Sequence, residues 1–195
     1  MTTNEGSRWE PKPATQAVAA KNQAVYDQLN FADTTDFDNA RRGLVAELNN
    51  QGQIDNASGR RVWDQQRFAD LVAGERPDEA NPSLWRQTEL LSIGGLFHVV
   101  GPVYQVRTAD LSNIDFIESN SGIIVVDPLI SAETAAEALA LYRQHRGDRP
   151  VVAVIYTHSH PDHFGGVMGV VTKEQLDNHE VEIYAPVGFM EAAVA

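Results

Sequence analysis

The sequence predicts an α+β protein in which a helical N-terminal part precedes a sheet. Up to about residue 90, apolar residues recur at the spacing of amphipathic helices. From Gly94 onward the pattern changes to short apolar segments separated by turn residues, which is typical of strands. A helical pattern at about 132 to 146 then leads to one further buried strand, at 151–156. Together these observations favour the α+β class.

The N-terminal part is expected to contain a flexible tail at 1–20 and a helical lead-in at 21–93. Glycine and proline residues divide the lead-in into short segments. Within these segments, one face of each predicted helix is apolar. The apolar positions that define the helical pattern are Val18, Val25, Leu29, Phe37, Leu44, Val45, Leu48, Phe68, Leu71 and Val72.

The sheet is expected to begin as an antiparallel meander, because tight turns join its first strands. Ser131 is a favourable N-cap for the helix that follows, since its hydroxyl can accept a bond from a backbone N–H group. After Pro150, a run of β-branched residues is typical of a strand that is buried on both faces. The meander strands are predicted at roughly 96 to 100, 103 to 107, 113 to 118 and 122 to 126.

The most informative segment follows the buried strand directly, where residues 157–166 read Thr-His-Ser-His-Pro-Asp-His-Phe-Gly-Gly. Neutral imidazole and carboxylate groups are ligands that zinc prefers, and the chain contains no cysteine to offer a thiolate instead. A single histidine near a strand end is usually a hydrogen-bonded structural residue. Four ligating side chains in so short a segment instead favour a metal centre, with the candidate ligands His158, His160, Asp162 and His163.

The spacing of these side chains predicts two metal ions. In an extended chain, His158 and His160 point to the same side and can hold one ion together. Pro161 restricts the backbone, so Asp162 and His163 turn toward a neighbouring point that suits a second ion. Because zinc lowers the pKa of a bound water to about 7, the pair of ions can produce a hydroxide nucleophile. Asp162 is the candidate catalytic residue, since it would also position that water.

The motif at 157–163 resembles the H-x-H-x-D-H signature of the metallo-β-lactamase superfamily. Other segments are similar to alkyl sulfatases of that superfamily, and the likeness extends from about residue 20 to the end. The resemblance implies an αββα sandwich that carries its metals at one edge of the sheets, with 94–195 as the N-terminal half. The chain is therefore expected to be an N-terminal fragment of a longer enzyme. The segments that carry the likeness are 31–33, 36–37, 40–43, 62–64, 81–87, 96–97, 103–107 and 150–156.

The resemblance also implies a function. It implies zinc-dependent hydrolysis of alkyl sulfate esters to an alcohol and inorganic sulfate through a metal-bound hydroxide, with two zinc ions per complete site and a homodimer as the full-length protein. In the resembled family, two glutamates and a further histidine supply the remaining ligands far downstream, so the fragment alone is expected to be inactive. His179, Glu180 and Glu182 are not assigned to the site, because their surroundings indicate a solvated turn before a strand.

Asp127 closes the last strand of the predicted meander and is a candidate supporting residue outside the ligand set. A carboxylate at a strand end near metal ligands often orients an imidazole. A purely structural role fits the pattern as well, and the resemblance favours the supporting role. His98 and His145 show no partner pattern and are expected to be structural.

Two other functions stay open. The signature also fits another hydrolase of the superfamily, such as a lactonase, a thioesterase or a β-lactamase. A third interpretation is a non-catalytic, incomplete metal-binding scaffold. Substrate profiling separates the two kinds of hydrolase, and the zinc content of the isolated chain tests the third interpretation.

Composition argues against several partner classes. The net charge of −12 and the pI of about 4.8 disfavour nucleic acid, because affinity for phosphate backbones comes largely from Lys and Arg. No apolar run approaches a membrane span, and the first residues lack the basic start and apolar segment of an export signal. We therefore expect no nucleic acid, no membrane span and a cytoplasmic location, while the small-molecule alkyl sulfate substrate is what the resemblance implies. A periplasmic or secreted location is the alternative, because the resembled family includes exported enzymes.

Overall fold

The computed structural model describes residues 12–195, and this part of the chain combines helices with one large sheet. None of the described helices is long and apolar enough to cross a lipid bilayer. The helices are α1 (Gln16–Gln23), α2 (Thr35–Arg41), α3 (Gln65–Val72), α4 (Pro82–Leu91), α5 (Ala132–Arg146), α6 (Lys173–Asp177) and α7 (Phe189–Ala193). The strands are β1 (Leu44–Ala46), β2 (Gln53–Asp55), β3 (Arg61–Asp64), β4 (Gly95–Val100), β5 (Val103–Arg107), β6 (Ile114–Glu118), β7 (Ile123–Val126), β8 (Val151–Ile155) and β9 (Glu182–Tyr184).

Seven strands form one sheet in the order β1-β4-β5-β6-β7-β8-β9, and β2 pairs with β3 in a separate hairpin. Neighbouring strands are antiparallel from β1 to β7. The direction changes at β7, because β8 pairs with it in parallel and β9 pairs in parallel with β8. The carboxyl ends of β7, β8 and β9 therefore meet at one edge of the sheet.

The predicted meander is confirmed as β4 to β7, with strand ends that differ from the prediction by at most one residue. The predicted helix at 132 to 146 is confirmed as α5. Its N-cap is also confirmed, because Ser131 Oγ accepts a bond from Thr134 N at 3.2 Å. These elements were predictable because local alternation and a capping residue determine them.

The core lies between α5 and one face of the sheet. Alternating side chains of β5 and β6 are buried, as expected for a sheet packed on one side. Tyr142 of α5 stacks on Phe116 of β6, with ring centroids 4.6 Å apart, and both residues are fully buried. Gln105 and Asp115, which face the other way, are only half-buried. The packed face thus fixes the strands that lead to the edge with the histidine motif.

The predicted lead-in of helices is wrong in part, because β1, β2 and β3 lie within it. Leu44 belongs to β1 and pairs with Phe97 of β4, a partner far along the chain. The local pattern could not reveal this pairing, because strand formation depends on the neighbouring strand more than on intrinsic preference. α2, α3 and α4 agree with the predicted helical character of their segments.

The segment predicted as a flexible tail, 1–20, contains the start of the first helix. Residues 1–11 lie outside the described part of the chain, but α1 already begins at Gln16. Thr15 caps this helix, since its Oγ1 accepts a bond from Val18 N at 3.3 Å. The capping hydroxyl supplies one of the partners that the first N–H groups of a helix lack.

Candidate metal centre

Residues 157–166, the metal loop, follow β8 at the edge where the parallel strands end. Asp127 follows β7 at the same edge, so parallel pairing brings it next to Thr157, 30 positions later in the chain. Thr157 N donates to Asp127 Oδ1 at 2.8 Å, and Thr157 Oγ1 donates to Asp127 Oδ2 at 2.6 Å. The first residue of the metal loop is therefore fixed to the end of the neighbouring strand.

Asp127 also fixes one of the candidate ligands. His163 Nδ1 lies 2.9 Å from Asp127 Oδ2, and Asp127 is only 8% exposed. An ionised carboxylate can only accept, so the Nδ1 atom of His163 carries the hydrogen. The Nε2 atom then keeps its lone pair for a metal, which is the usual arrangement of a histidine ligand supported by a carboxylate. This geometry agrees with the supporting role predicted for Asp127.

Thr157 extends the same chain of bonds to a second imidazole. Its Oγ1 uses its single hydrogen for Asp127, so it accepts a bond from His158 Nδ1 at 2.9 Å. The Nε2 atom of His158 is thereby also left free to ligate. No role was predicted for Thr157 from the sequence, although its hydroxyl directly before the first histidine is a signal that could have indicated one.

The rings of the three histidines cluster around His158. Its ring centroid lies 4.1 Å from that of His163 and 4.6 Å from that of His160. Asp162 Oδ2 lies 3.4 Å from His163 Nε2, within a short 3₁₀ helix at Pro161–His163. The structure thus brings the predicted pairs His158–His160 and Asp162–His163 together at one edge.

A different combination of side chains brings three possible ligand atoms close together. Asp127, His158 and His163 each offer one ligand atom within 4.8 Å of the others, whereas His160 and Asp162 lie outside this group. Three of the four acceptor positions of Asp127 already receive hydrogen bonds, which suits an orienting carboxylate better than a ligand. Neutral imidazoles beside carboxylates form a donor set that fits a divalent cation of the zinc type.

The turn after β7 is held in an uncommon conformation. Asp127 has φ 53° and Leu129 has φ 60°, a region that costs non-glycine residues about 1–3 kcal/mol each. Leu129 O accepts a bond from Gly166 N at 2.9 Å, so the end of the metal loop closes against this turn. A Cβ atom on Gly166 would lie 2.1 Å from Pro128 O, which explains why glycine is needed there.

The loop between β5 and β6, at 108–113, contacts the metal loop from another side. Ser112 Oγ donates to the main-chain oxygen of Asp162. Asp110 in the same loop is 4% exposed and bonds to residues after β7. Neither residue is predictable from a local motif, since these contacts join positions that lie far apart in the chain.

An apolar cavity of about 530 Å³ lies beside the same loop. Leu111, between Asp110 and Ser112, forms part of its wall. The remaining apolar wall comes mainly from Trp63, Phe68, Leu90, Leu91 and Ile93. Apolar surface is therefore available next to the segment that contacts the metal loop.

The other histidines lie apart from this centre in the described structure. His98 Nε2 bonds to Gly101 O at 2.9 Å within the β4–β5 hairpin, which agrees with a structural role. His145 is exposed near the end of α5. His179 and Glu180 are exposed in the turn before β9, and Glu182 is exposed at the start of that strand.

Comparison with known proteins shows what the segment from β6 through the metal loop is similar to. Residues 107–194 match the family model of the metallo-beta-lactamase superfamily. The predicted α+β fold is confirmed by the sheet and helices of the described residues, and residues 107–194 are similar to this superfamily.

Sequence relatives narrow the class further. The chain is 51% identical over 185 residues to a linear primary-alkylsulfatase from a Pseudomonas species and 47% identical over 186 residues to an (R)-specific secondary-alkylsulfatase from a Pseudomonas species. It is 45% identical over 174 residues to an alkyl/aryl-sulfatase from Saccharomyces cerevisiae. These alignments cover 94%, 95% and 89% of this chain but only 27%, 28% and 27% of the relatives.

A solved structure gives the same result. The stereoselective inverting sec-alkylsulfatase Pisa1 from a Pseudomonas species superposes with a TM-score of 0.86 at 48% identity, over 95% of this chain and 29% of that chain. The chain is a homologue of alkylsulfatases, so the resemblance found in the sequence is confirmed. It spans just over a quarter of the length of these relatives.

Proposed function

We propose that the protein containing these residues hydrolyses alkyl sulfate esters to an alcohol and inorganic sulfate at a centre of two zinc ions. The observation that carries this proposal is the metal loop, in which Asp127 and Thr157 leave the Nε2 atoms of two histidines free. The relatives that align with most of this chain are named alkylsulfatases, which supports the choice of substrate class.

The residues of the metal loop would have different roles in binding the two ions and positioning the water. His158 and His160 would hold one ion, and Asp162 and His163 would hold the second. When bound, the zinc ions would supply Lewis acidity and activate a water for attack on the sulfate ester. Asp162 would position that water, while Asp127 keeps His163 in the required orientation and tautomer.

The negative net charge does not conflict with an anionic substrate. The chain as a whole carries −12, but bound divalent ions are often the largest local charges in a site. The apolar cavity beside Leu111 offers walls that suit a hydrocarbon chain. An alkyl sulfate combines these two requirements, an anionic head near the ions and an apolar tail.

We propose further that this 195-residue chain alone binds zinc weakly and does not turn over substrate. The metal loop supplies four of the ligands, whereas two catalytic ions need about seven or eight in total, counting a shared water. A homodimer and a cytoplasmic location remain predictions as well. Light scattering of the purified protein tests the dimer, and cell fractionation tests the location.

The test of this proposal uses the complete protein that the gene encodes. We expect it to retain about two zinc ions and to release sulfate from dodecyl sulfate. His158→Ala is expected to abolish zinc retention and turnover together, since it removes a ligand from the loop. The matched control is His145→Ala, an exposed histidine on α5, which should leave both unchanged.

The alternatives give different results in the same experiment. A zinc-loaded protein that is inert toward alkyl sulfates but cleaves lactones, thioesters or β-lactams would overturn the sulfatase proposal in favour of another hydrolase. A protein purified without chelator that carries no zinc would overturn the metal centre itself. Full activity of the His158→Ala variant would refute its role as a ligand.

A further inference from the structure

The β5–β6 loop (residues 108–113) contains a buried carboxylate that has no part in the proposed chemistry. Asp110 is 4% exposed, so hydrogen bonds must replace the water it has lost. Its Oδ1 atom accepts a bond from Leu111 N at 2.6 Å. Its Oδ2 atom accepts bonds from Ile130 N at 3.2 Å and from Thr134 Oγ1 at 2.5 Å. Asp110 is thus a fixed junction between three segments of the chain.

Two of these donors belong to the segment that supports the metal loop. Ile130 follows Leu129, whose carbonyl oxygen accepts the bond from Gly166 N. Thr134 lies in the first turn of α5, where its Oγ1 is also 3.0 Å from the capping Ser131 Oγ. Asp110 therefore ties the β5–β6 loop to the same turn that carries Asp127.

Ser112 continues this connection to the metal loop itself. It is 9% exposed, and its Oγ donates to the main-chain oxygen of Asp162. The carboxylate of Asp162 remains near His163, with Oδ2 at 3.4 Å from Nε2. Because Ser112 bonds to the main chain, it can fix the position of Asp162 without occupying the oxygens that would bind metal.

We propose that Asp110 and Ser112 are positioning residues. They hold the main chain of Asp162 in place, so that its carboxylate and the imidazole of His163 point at one ion. Asp127 fixes the imidazole from the end of β7, and Ser112 fixes the aspartate from the β5–β6 loop. Asp110 keeps that loop in place. This inference rests on the proposed zinc centre, and it assigns the geometry of the second ion to residues outside the ligand motif.

The test compares zinc binding by variants of the protein as its gene encodes it. Ser112→Ala is expected to weaken zinc binding by about 10- to 100-fold, the usual effect of removing a group that orients a ligand. Ser112→Thr keeps the hydroxyl and is expected to retain most of the affinity. Ser121→Ala, at the opposite end of β7, is the control and should bind zinc as the wild type does. Competition with a chromophoric chelator measures the affinity.

A second variant and a second measurement separate positioning from general stability. Asp110→Asn leaves Ser112 and the metal loop intact, but it is expected to weaken zinc binding in the same direction. The visible spectrum of the Co²⁺-loaded protein should change in Ser112→Ala and recover in Ser112→Thr, which a mere loss of stability would not produce.

The possible failures are distinguishable. Wild-type affinity and an unchanged Co²⁺ spectrum in both Ser112→Ala and Asp110→Asn would overturn the inference and leave the proposed function standing. Weakened binding in Ser112→Thr equal to that in Ser112→Ala would also overturn it, because the hydroxyl would then be irrelevant. A wild-type protein without zinc would instead overturn the proposed function on which the inference rests.

Discussion

The region from β4 through β8 and the N-terminal region at 12–93 bury their residues to very different extents. In the first region every strand contributes fully or almost fully buried side chains to the core that also contains α5. In the N-terminal region the buried residues are Gly52, Ile54, Gln65 and Pro82. The metal loop directly follows the first region, and Asp127 and Ser112, which contact it, lie within that region. The packed sheet thus fixes the site, whereas the N-terminal region adds Ile54 to the core, packs Ala46, Leu48 and Trp63 against it, and also makes polar contacts.

Several of these polar contacts are identifiable. Trp63 Nε1 donates to Thr108 O at 2.8 Å, at the start of the β5–β6 loop. Arg107 Nη1 donates to Ala40 O at 3.3 Å. Individual bonds of this kind contribute only about 1 kcal/mol each, far less than the burial of a large side chain. The two regions should therefore respond differently to substitution.

The largest difference between the regions is expected for truncation of apolar side chains. Phe116→Ala removes a fully buried ring that stacks on Tyr142, so the free energy of unfolding should fall by about 3–5 kcal/mol. Leu84→Ala, on the 65% exposed Leu84 of α4, should change it by no more than about 0.5 kcal/mol. Denaturant titration of the metal-free protein measures both. Similar losses in the two variants would contradict the contrast between the regions.

The next effect concerns the metal loop, where the two regions can be compared through matched hydroxyl deletions. Thr157→Val removes the hydroxyl that joins Asp127 to His158, so zinc binding should weaken by at least about tenfold, or about 1.4 kcal/mol. Thr88→Val removes a hydroxyl that bonds to Leu84 O within α4, and it should leave zinc binding unchanged. Calorimetric titration with zinc distinguishes them. Equal affinities in the two variants would show that the hydroxyl of Thr157 does not orient the ligand.

A smaller effect tests the attachment between the regions. Trp63→Phe removes the bond to Thr108 O, so the free energy of unfolding should fall by about 1 kcal/mol. Trp85→Phe in α4 serves as the control for the change of ring size. Thermal unfolding measures both variants. A loss with Trp85→Phe that matches the loss with Trp63→Phe would show that the indole bond does not contribute.

The sequence predicted the packed region better than the N-terminal region, and the reason is the range of the interactions. Strand alternation and the Ser131 cap are local, so β4 to β7 and α5 could be recognised from their own residues. Leu44 forms a strand only because Phe97 lies beside it, and this information is absent from the surrounding segment. The propensity of the segment was therefore a poor guide.

The same distinction applies within the candidate site. The spacing of the four predicted ligands is a local pattern, which made the metal loop recognisable. The contact from Ser112 to Asp162 spans 50 positions, and the contact from Asp110 to Thr134 spans 24. No short motif encodes such contacts, so the residues that hold the loop became visible only in the folded chain.

The smallest expected effect concerns the pH dependence of stability at Asp115 on β6, within the packed region. Burial raises the pKa of Asp115, so the folded state binds a proton more readily than the unfolded state. Asp115→Asn should therefore raise the unfolding midpoint slightly at pH 7, and this gain should disappear as the pH falls into the carboxyl range. Thermal unfolding as a function of pH measures it. A constant difference at every pH would contradict the assignment.

Glu118 on the same strand is the control, because its pKa is shifted in the opposite direction. The bond from Arg146 lowers the pKa of Glu118, so its ionised form stabilises the fold above the ordinary carboxyl pKa. Glu118→Gln should lower the unfolding midpoint at pH 7. This loss should shrink as the pH falls through the depressed pKa, because the wild-type carboxylate then also takes up a proton.

The parallel pairing of β7 with β8 determines when the site can form during refolding. A parallel pair needs a crossover, and here the chain passes through α5 before β8 can align with β7. Closing this long segment costs chain entropy before contacts between the strands can compensate for that cost. Asp127 and Thr157 meet only after that closure. The imidazole of His163 should therefore acquire its native chemical shift late in refolding, together with the burial of Tyr142 rather than with the formation of the helix.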